Sequence, residues 1–589
     1  MFSYLKSICI IVAVLCFATA EVRAQSITLH EGDVDALLKK NEIVTDNLWI
    51  INGNKHFYGA PDQQMISMGK LSGMLWNMAA MRLIDQGSFV PDKPVVLLID
   101  DFEFASPFRE IITMRHLLAG TAGFATPPWY SSKLGYLSSR EKMKAGNDWR
   151  KHITAVSNPG LVGRDDPVGQ ALLAKAVISD WGEGYGESLQ DLVFTPLGIT
   201  ADNVQMPTPA GTPYDSFFAP TLDVKLSAQA FIKILAVLSN NQLDNGEHFL
   251  SLVNYTALMR GQGWRVHPLG PGRSYGFSLS EIEGRRTASL LPSTEPSSHI
   301  AISGSGLIAF PEAGIVIAMT EAMSDGAALK QTLSRVAGLI AKEFIPRTNY
   351  FRERKDMEAV SEVRPREGYF MLDDAATSWL GEKLYRAKYF SPYIVVKRES
   401  VQVNFGGKQV VYNRIEPRLY QSLTGEKLYV SDGSGGYIAI GEGLFRYTGA
   451  MGNPYLLISP LLVCLFVLFT ASIYWVSKRG RDWQRFARWS VAGGILLAGG
   501  FVMEVHYYPT VWIEEQSEFL VFLWRAIFNM GLMLILTAPM YAWRFGKQNV
   551  FHKNVKQMML GSHVILIAAS ALVLALMSVA WGLAGELLP

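Results

Sequence analysis

Cysteine is almost absent from this chain. Three stand among 589 residues, at Cys9, Cys16 and Cys464. The first two fall in an N-terminal apolar stretch that reads as removable, and the third lies inside another apolar segment. One remaining thiol excludes a disulfide framework and a thiolate metal site. No H-E-x-x-H helix and no paired cysteines occur, so metal chemistry has no support and no cofactor is expected. A phosphate-cradling glycine loop is missing too, because the GSGG at Gly433–Gly436 sits in a β-rich stretch with no helix after it. An excess of one charge is also lacking. Lys plus Arg number 54 against 52 Asp plus Glu, which argues against a nucleic-acid partner and against an acidic tail. No repeat or low-complexity tract appears.

What the chain has is apolar residues, 49% of the total, and they are unevenly placed. MFSYLKSICIIVAVLCFATAEVRAQ opens with Lys6, continues with an apolar run to about Ala20, and reaches Val22-Arg23-Ala24 before Gln25. This reads as a secretory signal over residues 1–24. Its run is short for a span, and Leu15 before Cys16 does not suit a lipoprotein site. Four further runs, about Tyr455–Ser477, Ser490–Val505, Phe519–Trp543 and Met559–Trp581, are read as membrane spans. The second is the shortest.

Lys478, Arg479, Arg481, Arg485 and Arg488 separate the first two runs, and Arg544, Lys547, Lys553 and Lys556 the last two. The loop between the second and third runs holds only acids, such as Glu514, Glu515 and Glu518. The positive-inside rule places both basic loops in the cytoplasm. The expectation is therefore a multi-pass protein of a bacterial inner membrane, with residues 25–450 facing the periplasm or cell exterior and lipid as one partner. Arg525 early in the third run reads as an interfacial anchor. The spans are otherwise too apolar for a transporter.

The exported part divides near Arg347. Residues 347–450 begin with a charged linker. They continue with alternating apolar and polar residues around Gly406-Gly407, a hairpin pattern. Glu367–Tyr447 reads as a small β domain that spaces the larger domain from the membrane or helps to cover it. Residues 25–346 mix helical and strand patterns. Leu71, Met74, Met78, Met81 and Ile84 recur at helical spacing before Gly87. GLIAFPEAGIVIAMTEA reads as two strands joined at Pro311-Glu312-Ala313-Gly314. Helices mixed with an antiparallel sheet predict an α+β or α/β sandwich, followed by the β domain and an all-α transmembrane bundle over 451–589.

QQMISMGKLSG, Gln63–Gly73, sets Ser67 and Lys70 three residues apart. Such a pair is common, and taken alone it reads as a capping serine and a snorkelling lysine. Its placement at the start of the apolar helix gives it a second reading. In a first helical turn Ser67 would meet unpaired N–H groups and the positive dipole end, with Lys70 on the same face. Burial among Met and Leu would favour a neutral amine able to take the serine proton.

ISMGKLSGMLWNMAAMRLIDQGSF resembles the active-site helix of the serine β-lactamase and penicillin-binding-protein superfamily, above all its class C-like branch. The resemblance continues in order through ITMRHLLAGTAGF (Ile112–Phe124), VFTPLGIT (Val193–Thr200), LDVKLSAQAFIKILAVLSNNQ (Leu222–Gln242), YGFSLS (Tyr275–Ser280) and the final strand pair. It spans about Lys55 to Met323. It implies an antiparallel sheet flanked by helices, with the active site between sheet and helical region and no cofactor.

Carried over by position, Ser67 would be the acylated nucleophile and Lys70 its proton partner. The family's Tyr-x-Asn motif is matched best by Val156-Ser157-Asn158, which retains Asn158 and loses the tyrosine. Asp165-Asp166-Pro167 is the alternative alignment. The third motif is matched best by Ile302-Ser303-Gly304, then Ser305, with Ile302 in place of the cation and His299 three residues earlier. Backbone N–H groups of Ser67 and Ser305 would form the oxyanion hole, and Ser303, Gly304 and Ser305 would line the substrate site.

The missing tyrosine and cation disfavour β-lactams and favour a neutral ester or amide, with a peptidoglycan-derived peptide among the candidate substrates. Losing an acid–base partner typically costs about 10²–10⁴-fold. His116 and His152 are the available substitutes, although a lone histidine is more often structural. The reading is a membrane-tethered serine hydrolase. The alternative is a degenerate binding or regulatory pseudoenzyme of the same fold.

Overall fold

The computed structural model describes residues 29–43, 47–58, 65–99, 109–124, 155, 158–161, 163, 166–182, 184–206, 224–261, 264–265, 271–291, 305–320, 326–347, 364–372, 393–397, 400–405, 408–423, 426–431, 435–440, 443–449, 454–474, 481–513, 518–549 and 555–580. The leader, His152, Val156, Asp165, His299, Ile302, Ser303 and Gly304 lie outside the described residues.

An eight-stranded sheet organises the first part of the chain. Its order is Lys55–Tyr58, Leu48–Asn52, Ile315–Thr320, Ser305–Phe310, Arg285–Leu290, Ser278–Ile282, Gly272–Arg273 and Trp264–Arg265, each pair antiparallel. The Pro311–Gly314 turn is where the sequence places it. Ala313 N–H bonds the Phe310 carbonyl at 3.0 Å, and Gly314 takes a φ of 61° that favours glycine.

Side chains alternate across a strand, and here both faces are covered. Trp49, Ile51, Leu307, Ala309, Val316 and Ala318 enter the larger core, which contains the helices Ser72–Asp85, Pro167–Trp181 and Ala228–Asn240. Leu48, Ile50, Ile308, Phe310, Ile315 and Ile317 enter a second core under the helices Glu31–Lys40 and Gly326–Phe344. The result is a helix–sheet–helix sandwich of the α+β class.

The Ser72–Asp85 helix is more buried than one apolar stripe implies. Met74 through Met81 are all buried, eight residues in succession, so it is a central helix enclosed on every side. It ends at Asp85, and Gly87 takes a φ of 77° just beyond, the stop expected of that glycine. Asn77 is the polar residue within that buried run of eight. Its amide donates to the Leu118 carbonyl at 3.3 Å and its oxygen accepts from Gln170 Nε2 at 3.1 Å, while Gln170 also donates to the Gly73 carbonyl at 2.7 Å. Three separate segments are thereby tied together by one satisfied polar cluster.

Between 368 and 449 the described residues form a closed barrel of eight antiparallel strands, from Gly368–Leu372 to Gly443–Gly449. Phe370, Ile394, Val403, Tyr412, Leu428, Ile438 and Phe445 fill its interior. Tyr412 directs its hydroxyl to Glu426 at 2.5 Å.

The last part of the chain is helical: Pro454–Thr470, Arg481–Ile513, Glu518–Ile535, Thr537–Asn549 and Val555–Ala580. Among the described residues, three stretches, Arg481–Met503, Ala526–Arg544 and Val555–Ser578, are long and apolar enough to cross a membrane, whereas Ser459–Tyr474 is shorter. The lengths differ from those read in the sequence. The second run, read as the shortest, lies within a 33-residue helix. The third run breaks at Leu536 because Pro539 has no N–H for the carbonyl four residues back. Arg544 pairs with Asp482 at 3.1 Å, so the ends of the helices next to the two basic loops meet on one side of the bundle. Two side chains of the first helical segment hold His563, Tyr474 at Nδ1 (2.5 Å) and Thr470 at Nε2 (2.8 Å).

Candidate functional site

Ser67 ends a two-residue strand, Ile66–Ser67, that pairs with Lys225–Leu226. A 3-10 turn, Gly69–Leu71, follows, and only then the central helix. The serine therefore precedes the helix and does not occupy its first turn. Gly69 explains the difference: its φ of 47° is left-handed and cannot continue a right-handed helix. The S-x-x-K segment is a strand running into a turn, so helical spacing is not what relates Ser67 to Lys70.

The segment is held from several sides. Met68 N–H bonds the Val224 carbonyl at 2.9 Å, and Val224 N–H in turn donates to the hydroxyl of buried Ser72 at 2.9 Å. Ser305, the first residue of its sheet strand and itself buried, donates its hydroxyl to the Met68 carbonyl at 2.5 Å. Lys70 Nζ donates to the Leu291 carbonyl at 2.5 Å, just past the Arg285–Leu290 strand. Both Ser67 and Lys70 are half-buried. The Ser67–Lys70 turn thus lies against the ends of two sheet strands, at the junction of sheet and helices.

Of the other residues singled out in the sequence, Ser305 is brought to this turn through Met68. Asn158 sits in the turn 158–161, where its carbonyl accepts from Leu161 N–H at 3.1 Å and Gly160 N–H bonds the Thr121 carbonyl at 2.8 Å. Asp166 caps the Pro167–Trp181 helix, accepting from Gly169 N–H at 2.8 Å. His116 is the third residue of the Met114–Leu118 helix, and its Nδ1 accepts from Thr113 N–H at 3.1 Å in a capping box. Burial, and then the neighbouring Arg115 charge, holds its pKa below the ordinary value. Among the described residues no cluster of His, Cys, Asp and Glu could hold a metal ion.

Sequence reasoning missed Leu291, Ser72 and Lys225. The first acts through its backbone and the second as a buried acceptor. The third becomes a neighbour of Ser67 only by strand pairing.

Residues 73–337 match the family model described as Beta-lactamase. The matched stretch covers less than half of the chain. The match opens three residues after Lys70. No curated protein matches the chain. Similar solved structures include the octameric penicillin-binding protein homologue from Pyrococcus abyssi, with 15% identity and a TM-score of 0.41 over 71% of this chain and 100% of that one. SurE with D-Leu gives 14%, 0.45, 71% and 99%. EstCE1, described as a hydrolase with promiscuous acyltransferase activity, gives 17%, 0.41, 54% and 100%. At such scores these likenesses say nothing of activity.

Proposed function

We propose that the chain is a membrane-tethered serine hydrolase whose nucleophile is Ser67, acting on an ester or amide, a cell-wall peptide included. The reading is carried by the S-x-x-K turn and its anchors. A serine and a lysine stand on a rigid turn between sheet and helix, with the lysine directed by the Leu291 carbonyl and the turn pinned by Ser305.

In this mechanism the Lys70 amine takes the Ser67 proton as Oγ attacks the substrate carbonyl. Backbone N–H groups, with Ser67 and Ser305 the candidates, receive the oxyanion. The C–O or C–N bond breaks, the alcohol or amine leaves with the proton, and water releases the acyl group. Asn158, Ser303 and Gly304 are carried as further candidate site residues from the resemblance alone. The helices long enough to cross a membrane, and the common side of the two basic loops, support tethering with the hydrolase outside.

The test is intact mass of the full chain in detergent after exposure to a fluorophosphonate and, separately, to a β-lactam. The reading expects an adduct that Ser67→Ala abolishes, with the fluorophosphonate labelling more completely. A folded protein with no Ser67-dependent adduct overturns it.

A further inference from the structure

The short sheet that carries Ser67 places a second lysine beside it. Its order is Ile66–Ser67, Lys225–Leu226, Val204–Gln205, with Ser67 opposite Lys225 and Lys225 opposite Gln205. Residues paired directly across an antiparallel ladder project from the same face, with Cβ atoms roughly 4.5–5.5 Å apart. Burial shows which face is which. Ile66, Leu226 and Val204 form one row, and all three pack in the larger core. Ser67, Lys225 and Gln205 form the other row, half-buried, exposed and exposed.

Lys225 has no ion-pair partner among the described residues. The next lysine along the chain, Lys233, is held by Asp244 at 3.1 Å. A lysine stem of four methylenes is long enough for its ammonium to reach a substrate seated on Ser67. The adjacent strand thus sets a second lysine in register with Ser67.

Resting on the serine-hydrolase reading, we infer that Lys225 is a specificity-determining residue that binds a carboxylate on the substrate, with Gln205 extending the same polar row. The substrate class is then an ester or amide whose acyl portion bears a free carboxylate.

The experiment uses the full chain in detergent and two p-nitrophenyl esters of matched length, the neutral butyrate and the anionic hydrogen succinate. Lys225→Gln raises KM for the succinate about three- to tenfold, the size of a solvent-exposed charge pair, and leaves the butyrate unchanged. Lys225→Arg retains the preference, and added salt weakens it in the unaltered protein. Equal effects on both esters, or an effect confined to kcat with a shifted pH profile, overturn the inference in favour of a structural or proton-transfer role. No effect on either ester overturns it as well.

A binding measurement separates this from the reading beneath it. Ser67→Ala protein is titrated with succinamate and with butyramide, with and without Lys225→Gln. Lys225-dependent succinamate binding without turnover of either ester rejects the hydrolase and keeps the carboxylate site. Turnover without Lys225-dependent binding does the reverse.

Discussion

Lys70 reaches the main-chain carbonyl of Leu291, 221 residues away in sequence, at 2.5 Å. A backbone carbonyl has no proton to exchange, so this contact orients the amine and takes no part in proton transfer. Lys70→Met keeps an apolar stem in place and removes the proposed base. Fluorophosphonate labelling of Ser67 should slow by about 10²-fold or more, with thermal unfolding shifted only slightly. Labelling at the unaltered rate would remove Lys70 from the chemistry.

Ser305→Ala deletes the hydroxyl that donates to the Met68 carbonyl and leaves that buried acceptor with the Leu71 N–H at 2.8 Å. A loss of about 1–2 kcal/mol is expected, together with slower acylation because the nucleophile turn is less well fixed. Ser305→Cys, a weaker donor of similar shape, should fall between. Denaturant unfolding and the labelling rate, measured side by side, check this.

Asn77→Ala opens the polar cluster that joins the central helix to Gln170 and Leu118. The remaining partners are left in a buried site, which costs about 1–3 kcal/mol. Removal of Gln170 in the same background should cost less than the sum of the two single changes. Additive losses in a double-mutant cycle would dissolve the cluster into independent contacts.

His116 makes stability depend on pH. Its folded-state pKa is lowered, first by burial and then by Arg115, and its Nδ1 must stay unprotonated to accept from Thr113. The neutral form is favoured by folding. Its contribution is therefore present above the unfolded value, about 6.5, and is lost as pH falls below it. Unfolding measured between pH 7.5 and 5 should show this loss, and His116→Gln, which retains a capping acceptor, should flatten it.

In the C-terminal bundle, a Cβ on Gly531 would lie 2.9 Å from Leu496 Cβ, and one on Gly500 2.8 Å from Phe528 Cβ. These glycines let the Arg481–Ile513 and Glu518–Ile535 helices cross closely. Gly531→Leu should separate them and lower the thermal midpoint of the detergent-solubilised chain. A midpoint unchanged by that substitution would contradict the packing.

Much of the fold was legible where one residue type answers one local demand. Gly87 ends a helix, Pro311 through Gly314 turn a strand pair, and the alternating stretch around Gly406-Gly407 announced β structure. The closed barrel was not legible, because closure depends on Phe370 meeting Tyr447, and no local pattern encodes the pairing of a first strand with a last. Ser67, Lys70 and Ser305 could be singled out, yet the helix whose first turn was to hold Ser67 begins at Ser72. The cause is the backbone of Gly69, whose left-handed φ is a freedom that the letter G permits without requiring. Lys225 stayed hidden for a different reason. Its proximity to Ser67 is created by two-residue strands too short to leave a period in the sequence.

The closed barrel changes what the segment between the sheet domain and the apolar helices can do. Its first and last strands pair, with Tyr369 opposite Gly449, so the chain enters and leaves at nearly the same point. A spacer must enter at one end and exit at the other, and this element is instead an out-and-back excursion. It adds bulk beside the path of the chain and almost no reach along it. Excising residues 368–449 and rejoining the ends would leave the length of the tether nearly unchanged, while removing whatever the barrel shields.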